Sequence, residues 1–460
     1  RRLVTRLERC LMGLVGKFRW HASLVFPSAW TCADFDVEPY FEHSGVSTSA
    51  WQRSDTDVHG PLWVEEAFQR LDEQARQCWS IGGRYWETEL HTPLYVETLR
   101  VSTSEDSDCP GCRDQLKDLW NGVPGRLMGG LCTPASCNPQ EVRLIMYPMY
   151  LSRALRMAFS LPAPAAEHLK VLELSHWSQL KLDFVVGGLA SCGTNTLAKA
   201  LDQVPELDFT MDDEDDFFYK HDSLLPYREE VEAFNFQWLS HKCLDCLRGL
   251  RHPGLHHSHR VRLALAHVPR LKVIIVVCDP VSRFEKWFWA FLHCKAHAVK
   301  PRLPLGPDRT ERCFDSPVAI FKEPEMLFKA SFGRHLRSLQ SLLGERLRVF
   351  HQAHLRTIPT QIYESLATFL GAARLPEFKH ERHNHQRGRR TDLCENSSLV
   401  LDLQKLFTPE YEAMEEILTA CGGGFPLPEE LLQRRTRCDR PEELEGVAEE
   451  TRPLVPDQKK

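Results

Sequence analysis

One stretch, FVVGGLASCGTNTLAKAL from Phe184 to Leu201, limits what this chain can fold into more than any other. A short β-branched run enters Gly187-Gly188, passes through Ser191-Cys192-Gly193-Thr194-Asn195-Thr196, and leaves as helix-forming residues. Apolar runs of this length, bounded by turn residues, read as strands buried on both faces, as parallel strands are. A turn from such a strand into a helix offers unpaired backbone N–H groups at the positive end of the helix dipole, which suits a phosphate. Gly187, Gly188 and Gly193 allow close backbone approach, and the Thr194 and Thr196 hydroxyls add donors. The plainer reading is a tight strand-to-helix connection. Hydrolysis of nucleoside triphosphates fits poorly, because the loop lacks the lysine of Gly-x-x-x-x-Gly-Lys-Ser/Thr.

The rhythm recurs downstream. KVIIVVCDPVSRFEKWFWAF, from Lys272 to Phe291, is a strand, an Asp279-Pro280 turn and a helix carrying Arg283 in its first turns. Leu336, Leu339, Leu342 and Leu343 mark a helix, Leu347 to Phe350 a strand, and Ile362, Leu366, Phe369 and Leu370 another helix. Strands alternating with helices predict an α/β domain with a mainly parallel sheet, assigned to residues 175–425. Residues 1–165 read instead as a Cys-rich, mainly helical domain. One helix covers Val64 to Trp79; another follows Asn138-Pro139 and carries Val142, Ile145, Met146 and Met149 on one face. SLPAPAAEH, Ser160 to His168, reads as a linker, and 426–460 as a poorly ordered tail.

The formal net charge of −6 gives no case for nucleic acid. Of 16 cysteines, seven fall in the first third, which points to an oxidising compartment. Asn396-Ser397-Ser398 is a glycosylation acceptor triplet that points the same way. No membrane-spanning run is visible, and because the chain starts at Arg1 a targeting segment or anchor upstream is an open expectation.

Taken in order, the motifs resemble the sulfotransferases, and within them the Golgi glycan enzymes of the heparan-sulfate type, over about residues 180–420. The loop Ser191 to Thr196 resembles their 5′-phosphosulfate loop, and Asp279-Pro280 with Arg283 their 3′-phosphate element. A Gly-x-x-Leu helix at Gly333 to Leu336 and the strand-helix from Arg346 to Gly371 follow, and then the basic loop Arg387-Gly388-Arg389, similar to a Lys-Gly-Arg loop. The resemblance implies a P-loop-like three-layer fold and the co-substrate 3′-phosphoadenosine-5′-phosphosulfate (PAPS), with no metal. Ser191, Cys192, Gly193, Thr194, Asn195 and Thr196 are then expected at the 5′ end, and Arg283, Lys286, Arg387, Gly388 and Arg389 at the 3′-phosphate. Glu214, within MDDEDDFF, corresponds to the family's base; the bland reading of that acidic run is a solvated loop. The implied acceptor is a hydroxyl or amine of a glycoconjugate, in the Golgi lumen or outside the cell.

Three positions depart from the family pattern: Ser191 replaces the loop lysine, Cys278 the strand-end arginine, and Lys286 the downstream serine. Removing one positioned donor at a charge-developing oxygen typically costs about 100-fold to 1000-fold in rate. A catalytically inactive, glycan- or partner-binding relative is therefore the alternative. In the first third, MGGLCTPASCNPQEV resembles a segment of the nose-resistant-to-fluoxetine N-terminal domain, which implies a lumenal or extracellular setting in which Cys132 and Cys137 are disulfide-bonded, with Cys78, Cys109 and Cys112 as candidate partners and the connectivity open. Cys109/Cys112 and Cys243/Cys246 have metal half-site spacing but read as disulfides or thiols. His252, His256, His257 and His259 read as a solvated loop.

Overall fold

The computed structural model describes residues 32, 36–47, 61–102, 125–154, 161–189, 192–209, 217, 224–237, 243, 245–252, 265–288, 331–372 and 393–439. The chain divides into two units, the first of residues 1–180 and 221–234, the second of 181–220 and 235–460.

The first unit holds, in chain order, β1 (Gly45–Ser47), α1 (Pro61–Ser80), β2 (Gly83–His91), α2 (Thr92–Ser102), β3 (Arg126–Pro134), α3 (Tyr147–Ala154) and β4 (Leu169–Glu173). Its strands form an antiparallel sheet in the order β1-β3-β2-β4. This sheet is an addition to the helices expected from the sequence. It buries Trp86, Leu90, Leu127 and Leu131 with Tyr95, Met146 and Tyr147 of the neighbouring elements in one apolar core.

Two sequence expectations change here. Leu161 N donates to Ser152 Oγ and Tyr95 donates to Pro162 O, so 161–168 is tied into this unit rather than bridging two domains. Asn138 begins its helix with a capping box shared with Glu141, as expected, but the turn Val142–Met146 is a π-helix. That wider turn advances the phase of the following helix, and Met149 is exposed while Val142 and Met146 are buried. Cys132 and Cys137 are both disulfide-bonded, as expected, Cys132 to one of its candidate partners and Cys137 to a cysteine that was not among them. Cys132, on β3, bonds Cys78 of α1, and Cys137, beyond the next turn, bonds Cys32. Strand alternation and the turn aim the two sulfurs at different elements.

The second unit holds β5 (Phe184–Gly188), α4 (Thr194–Asp202), β6 (Leu207–Phe209), β7 (Leu247–His252), β8 (Lys272–Val277), α5 (Pro280–Trp287), α6 (Gly333–Leu343), β9 (Leu347–His351), α7 (Gln352–Thr357), α8 (Pro359–Leu370), α9 (Ser397–Leu406) and α10 (Thr408–Cys421). Five strands pair in parallel in the order β6-β7-β5-β8-β9. Every residue of β5 is buried and so is every residue of β8 from Val273 on, so the central strands are covered on both faces. The unit is the three-layer α/β domain that the alternating pattern predicts.

His252 is the last residue of β7 and is fully buried, so it does not belong to a solvated loop; His256, His257 and His259 lie outside the described residues. Cys243 and Cys246 form a disulfide with each other at the amino end of β7. Cys109 and Cys112 are outside the described residues. The segment 426–439 is folded, against the expectation of a loose tail. Leu431 and Thr436 are buried, and Cys438 is bonded to Cys394 ahead of α9. Among the described residues, no helix is long and apolar enough to cross a membrane.

Candidate functional site

Strand order places the site. After β5 the chain runs by way of α4 to β6, on one side of the sheet; after β8 it runs to β9, on the other. The chain therefore leaves the neighbours β5 and β8 in opposite directions at their carboxyl ends, and a parallel sheet opens a ligand crevice at such a switch point. The two segments singled out in the sequence are the ones that leave these strands.

They are joined by a covalent bond. Cys192, in the loop after β5, and Cys278, the residue after β8, form a disulfide with Cα atoms 5.3 Å apart. Both are buried. Leu189 N donates to Val276 O, and Cys192 N turns back onto Leu189 O, which presses the loop against the neighbouring strand. Gly188 takes φ +145°, and a Cβ there would lie 3.0 Å from Val276 N and 2.8 Å from Thr194 Cγ2. Only glycine allows that approach.

The two helix starts differ. Gly193, at φ +99°, precedes α4 and has no side chain to cap it. The first-turn N–H groups of α4 thus have no cap acceptor, the state that favours an anion. Asn195 Oδ1, in that first turn, is buried with no hydrogen-bond partner. By contrast Asp279 caps α5, accepting from Ser282 N at 2.7 Å through Oδ2 while Oδ1 accepts from the Tyr411 hydroxyl at 2.5 Å. The start of α5 already has its own carboxylate.

The expected site residues fall into three groups. Cys192, Gly193, Thr194, Asn195 and Thr196 come together at the head of α4; Thr194 is almost wholly buried, while Gly193, Asn195 and Thr196 are half-buried. Arg283 is 3% exposed, with its guanidinium carbon 5.4 Å from the Phe332 ring centroid. Burial pushes its pKa down to about 10, and the carboxylate of Glu410 partly offsets that. Glu410 in turn accepts from Phe332 N and Gly333 N at the start of α6. The Arg283 guanidinium is thus committed to the interior, a placement the motif did not indicate. Lys286 is half-buried on the same helix. Ser191, Glu214, Arg387, Gly388 and Arg389 lie outside the described residues. Leu393, four positions beyond Arg389, is buried and its N–H approaches Glu285 Oε1 of α5 at 3.5 Å.

Two participants were not identified from the sequence. One is the Cys192–Cys278 pairing; the signal was available, since each cysteine closes a strand whose neighbour in a parallel sheet is the other's. The second is Gln352, directly after β9, whose amide Nε2 lies 3.5 Å from the position a Cβ on Gly193 would take. Nothing in its local sequence marks it. Among the described residues no group of three or more His, Cys, Asp or Glu side chains could hold a metal ion.

No family model matches the chain, and no curated protein matches it. Solved structures do match. A sulfotransferase from Alicyclobacillus acidocaldarius superposes over 52% of this chain and 95% of its own, at 16% identity and a TM-score of 0.37. A mouse sulfotransferase complexed with PAP covers 59% of this chain and 85% of its own, at 11% identity and a TM-score of 0.29. The sulfotransferase domain from the curacin biosynthetic pathway covers 56% and 97%, at 13% and 0.31. With identities and TM-scores this low, none of the three decides what this chain binds or does.

Proposed function

We propose that the second unit is a PAPS-dependent sulfotransferase that transfers a sulfuryl group to a hydroxyl or amine of a glycan-type acceptor, in the Golgi lumen or outside the cell. One observation carries the reading: the loop after β5 and the segment after β8 meet across the switch point of a parallel sheet, where a ligand with two phosphate clusters has to be held. The residues suit the 5′ end of such a nucleotide, with an uncapped helix start, Gly193 and the Gln352 amide. At the 3′-phosphate the positive charge falls to Lys286 and the basic loop Arg387-Gly388-Arg389. Leu393 supports that loop's part, since four residues reach at most about 14 Å and Leu393 is held against α5.

PAPS supplies the sulfuryl group and leaves as 3′-phosphoadenosine-5′-phosphate (PAP). Glu214 takes the proton of the acceptor O–H or N–H as the new bond to sulfur forms and the bond from sulfur to the 5′-phosphate oxygen breaks. Backbone N–H groups of the loop and the Ser191 and Thr196 hydroxyls donate to the negative charge that grows on that oxygen. Calorimetry with PAP and transfer of labelled sulfate to mixed glycans test the reading together. Binding with transfer is the expected result; absence of PAP binding removes it.

A second reading, a catalytically inactive relative that binds a nucleotide or glycan, is favoured by one specific feature. Positions 191 and 278 carry no cation, and Cys278 has its sulfur in a disulfide. PAP binding without any transfer selects this reading.

A further inference from the structure

We infer that the Cys192–Cys278 disulfide is a positioning element of the nucleotide crevice: it fixes the start of α4 against the end of β8. The inference rests on the nucleotide reading above only for the identity of the ligand. Its basis is placement. The bond joins the carboxyl ends of neighbouring strands from which the chain leaves in opposite directions, β5 towards β6 and β8 towards β9.

Among the described residues of the loop, Leu189 N donates to Val276 O and Cys192 N to Leu189 O, and the N-cap residue is a glycine with a left-handed φ and no side chain to hold it. A glycine-rich turn of this kind loses conformational freedom whenever it closes on an anion. Fixing it beforehand removes that loss from the binding step, which is how a cross-link raises affinity without touching the ligand. Cys192 is fully buried and Cys278 is 3% exposed, so the sulfurs contribute by holding the loop rather than by contact. The disulfide holds the donors that meet the ligand.

The bond joins residues 86 positions apart, so it cannot be replaced by local turn chemistry. Cys243–Cys246, at the amino end of β7, provides the control, since it lies in the same unit at the opposite end of the strands.

The test compares the native chain with Cys192→Ser/Cys278→Ser and with Cys243→Ser/Cys246→Ser. Three properties are measured: hydrogen exchange of residues 188–197 in the free protein, PAP affinity by calorimetry, and unfolding by urea. The crevice variant is expected to exchange its loop amides at least about ten-fold faster and to bind PAP at least about ten-fold more weakly, with neither change in the control. Should the serine pair fail to fold, Cys192→Ala/Cys278→Val removes the cross-link and keeps the site apolar. If the native chain binds no PAP and the loop amides still lose protection, the nucleotide reading falls and the positioning role stands. Native loop exchange and PAP affinity in the folded variant overturn the inference, as does peptide mapping that finds Cys192 and Cys278 alkylated in the unreduced native chain.

Discussion

The Tyr411 hydroxyl donates to Asp279 Oδ1 at 2.5 Å, linking α10 to the residue that caps α5. Burial, and then the adjoining carboxylate, push the phenol well above its usual pKa. Because the folded value is raised, the stabilisation is present in full below about pH 10 and lost as pH climbs beyond it. Tyr411→Phe is expected to lower stability by about 1.5–3 kcal/mol, the range for a hydrogen bond to a charged group. Urea unfolding at neutral pH checks the magnitude. An unchanged midpoint would mean that Asp279 does not depend on this partner.

Arg283 separates a structural role from a binding role. Its position against Phe332, with Glu410 as compensating charge, predicts that Arg283→Met lowers the unfolding free energy by about 3 kcal/mol or more, since the buried carboxylate then loses its counter-charge. If stability holds and only PAP affinity falls, the arginine is a ligand contact after all.

His252 makes the second unit acid-sensitive. Burial pushes its pKa down to about 3, against the model-peptide value of 6.5. Below pH 6.5 the unfolded chain takes up a proton that the folded chain refuses, so stability drops as pH falls from 6.5 towards 3. The slope is about 1.4 kcal/mol per pH unit at most from this one group. His252→Asn should flatten the pH dependence of the urea midpoint between pH 6.5 and 4.5. An equally steep dependence in the variant would assign the sensitivity elsewhere.

Transfer chemistry is addressed at the two positions that the family resemblance carries. Ser191→Lys restores a cation to the loop and is expected to raise the rate of labelled-sulfate transfer by about ten-fold or more. Glu214→Gln is expected to reduce it by about 100-fold or more while PAP affinity is unchanged. A lower rate in Ser191→Lys with intact PAP binding would show that the loop is aligned wrongly.

The strands β5 and β8 were legible because each is a continuous β-branched apolar run between turn residues, covered on both faces, and β9 because its apolar residues Leu347, Val349 and Phe350 lie between two helical patterns. The helix α1 was legible from spacing alone. By contrast β2 and β3 were not: GRYWETELH mixes charged with aromatic residues, and RLMGGLCTP carries a Gly pair at its centre, so pairing decided what periodicity could not. The loop's position between β5 and α4 followed from its glycines. The burial of Arg283 did not, because Phe332 and Glu410 approach it from distant parts of the chain. In the first unit Cys78 was among the candidate partners and bonds Cys132, whereas Cys32, 105 positions from its partner Cys137, was not marked by spacing.

Residues 221–234 belong to the first unit although the second surrounds them in the sequence. Trp177 donates through its indole to Leu224 O, Ser175 N to Pro226 O, and Tyr227 through its hydroxyl to Glu87. The backbone therefore crosses from one unit to the other three times. Neither can be lifted out of the gene as a single uninterrupted cassette: a cut after residue 180 strands an indole without its acceptor, and a cut before 181 leaves the other half carrying a foreign strip. Two units threaded in this way have to be produced together as one chain if each is to keep all of its own segments.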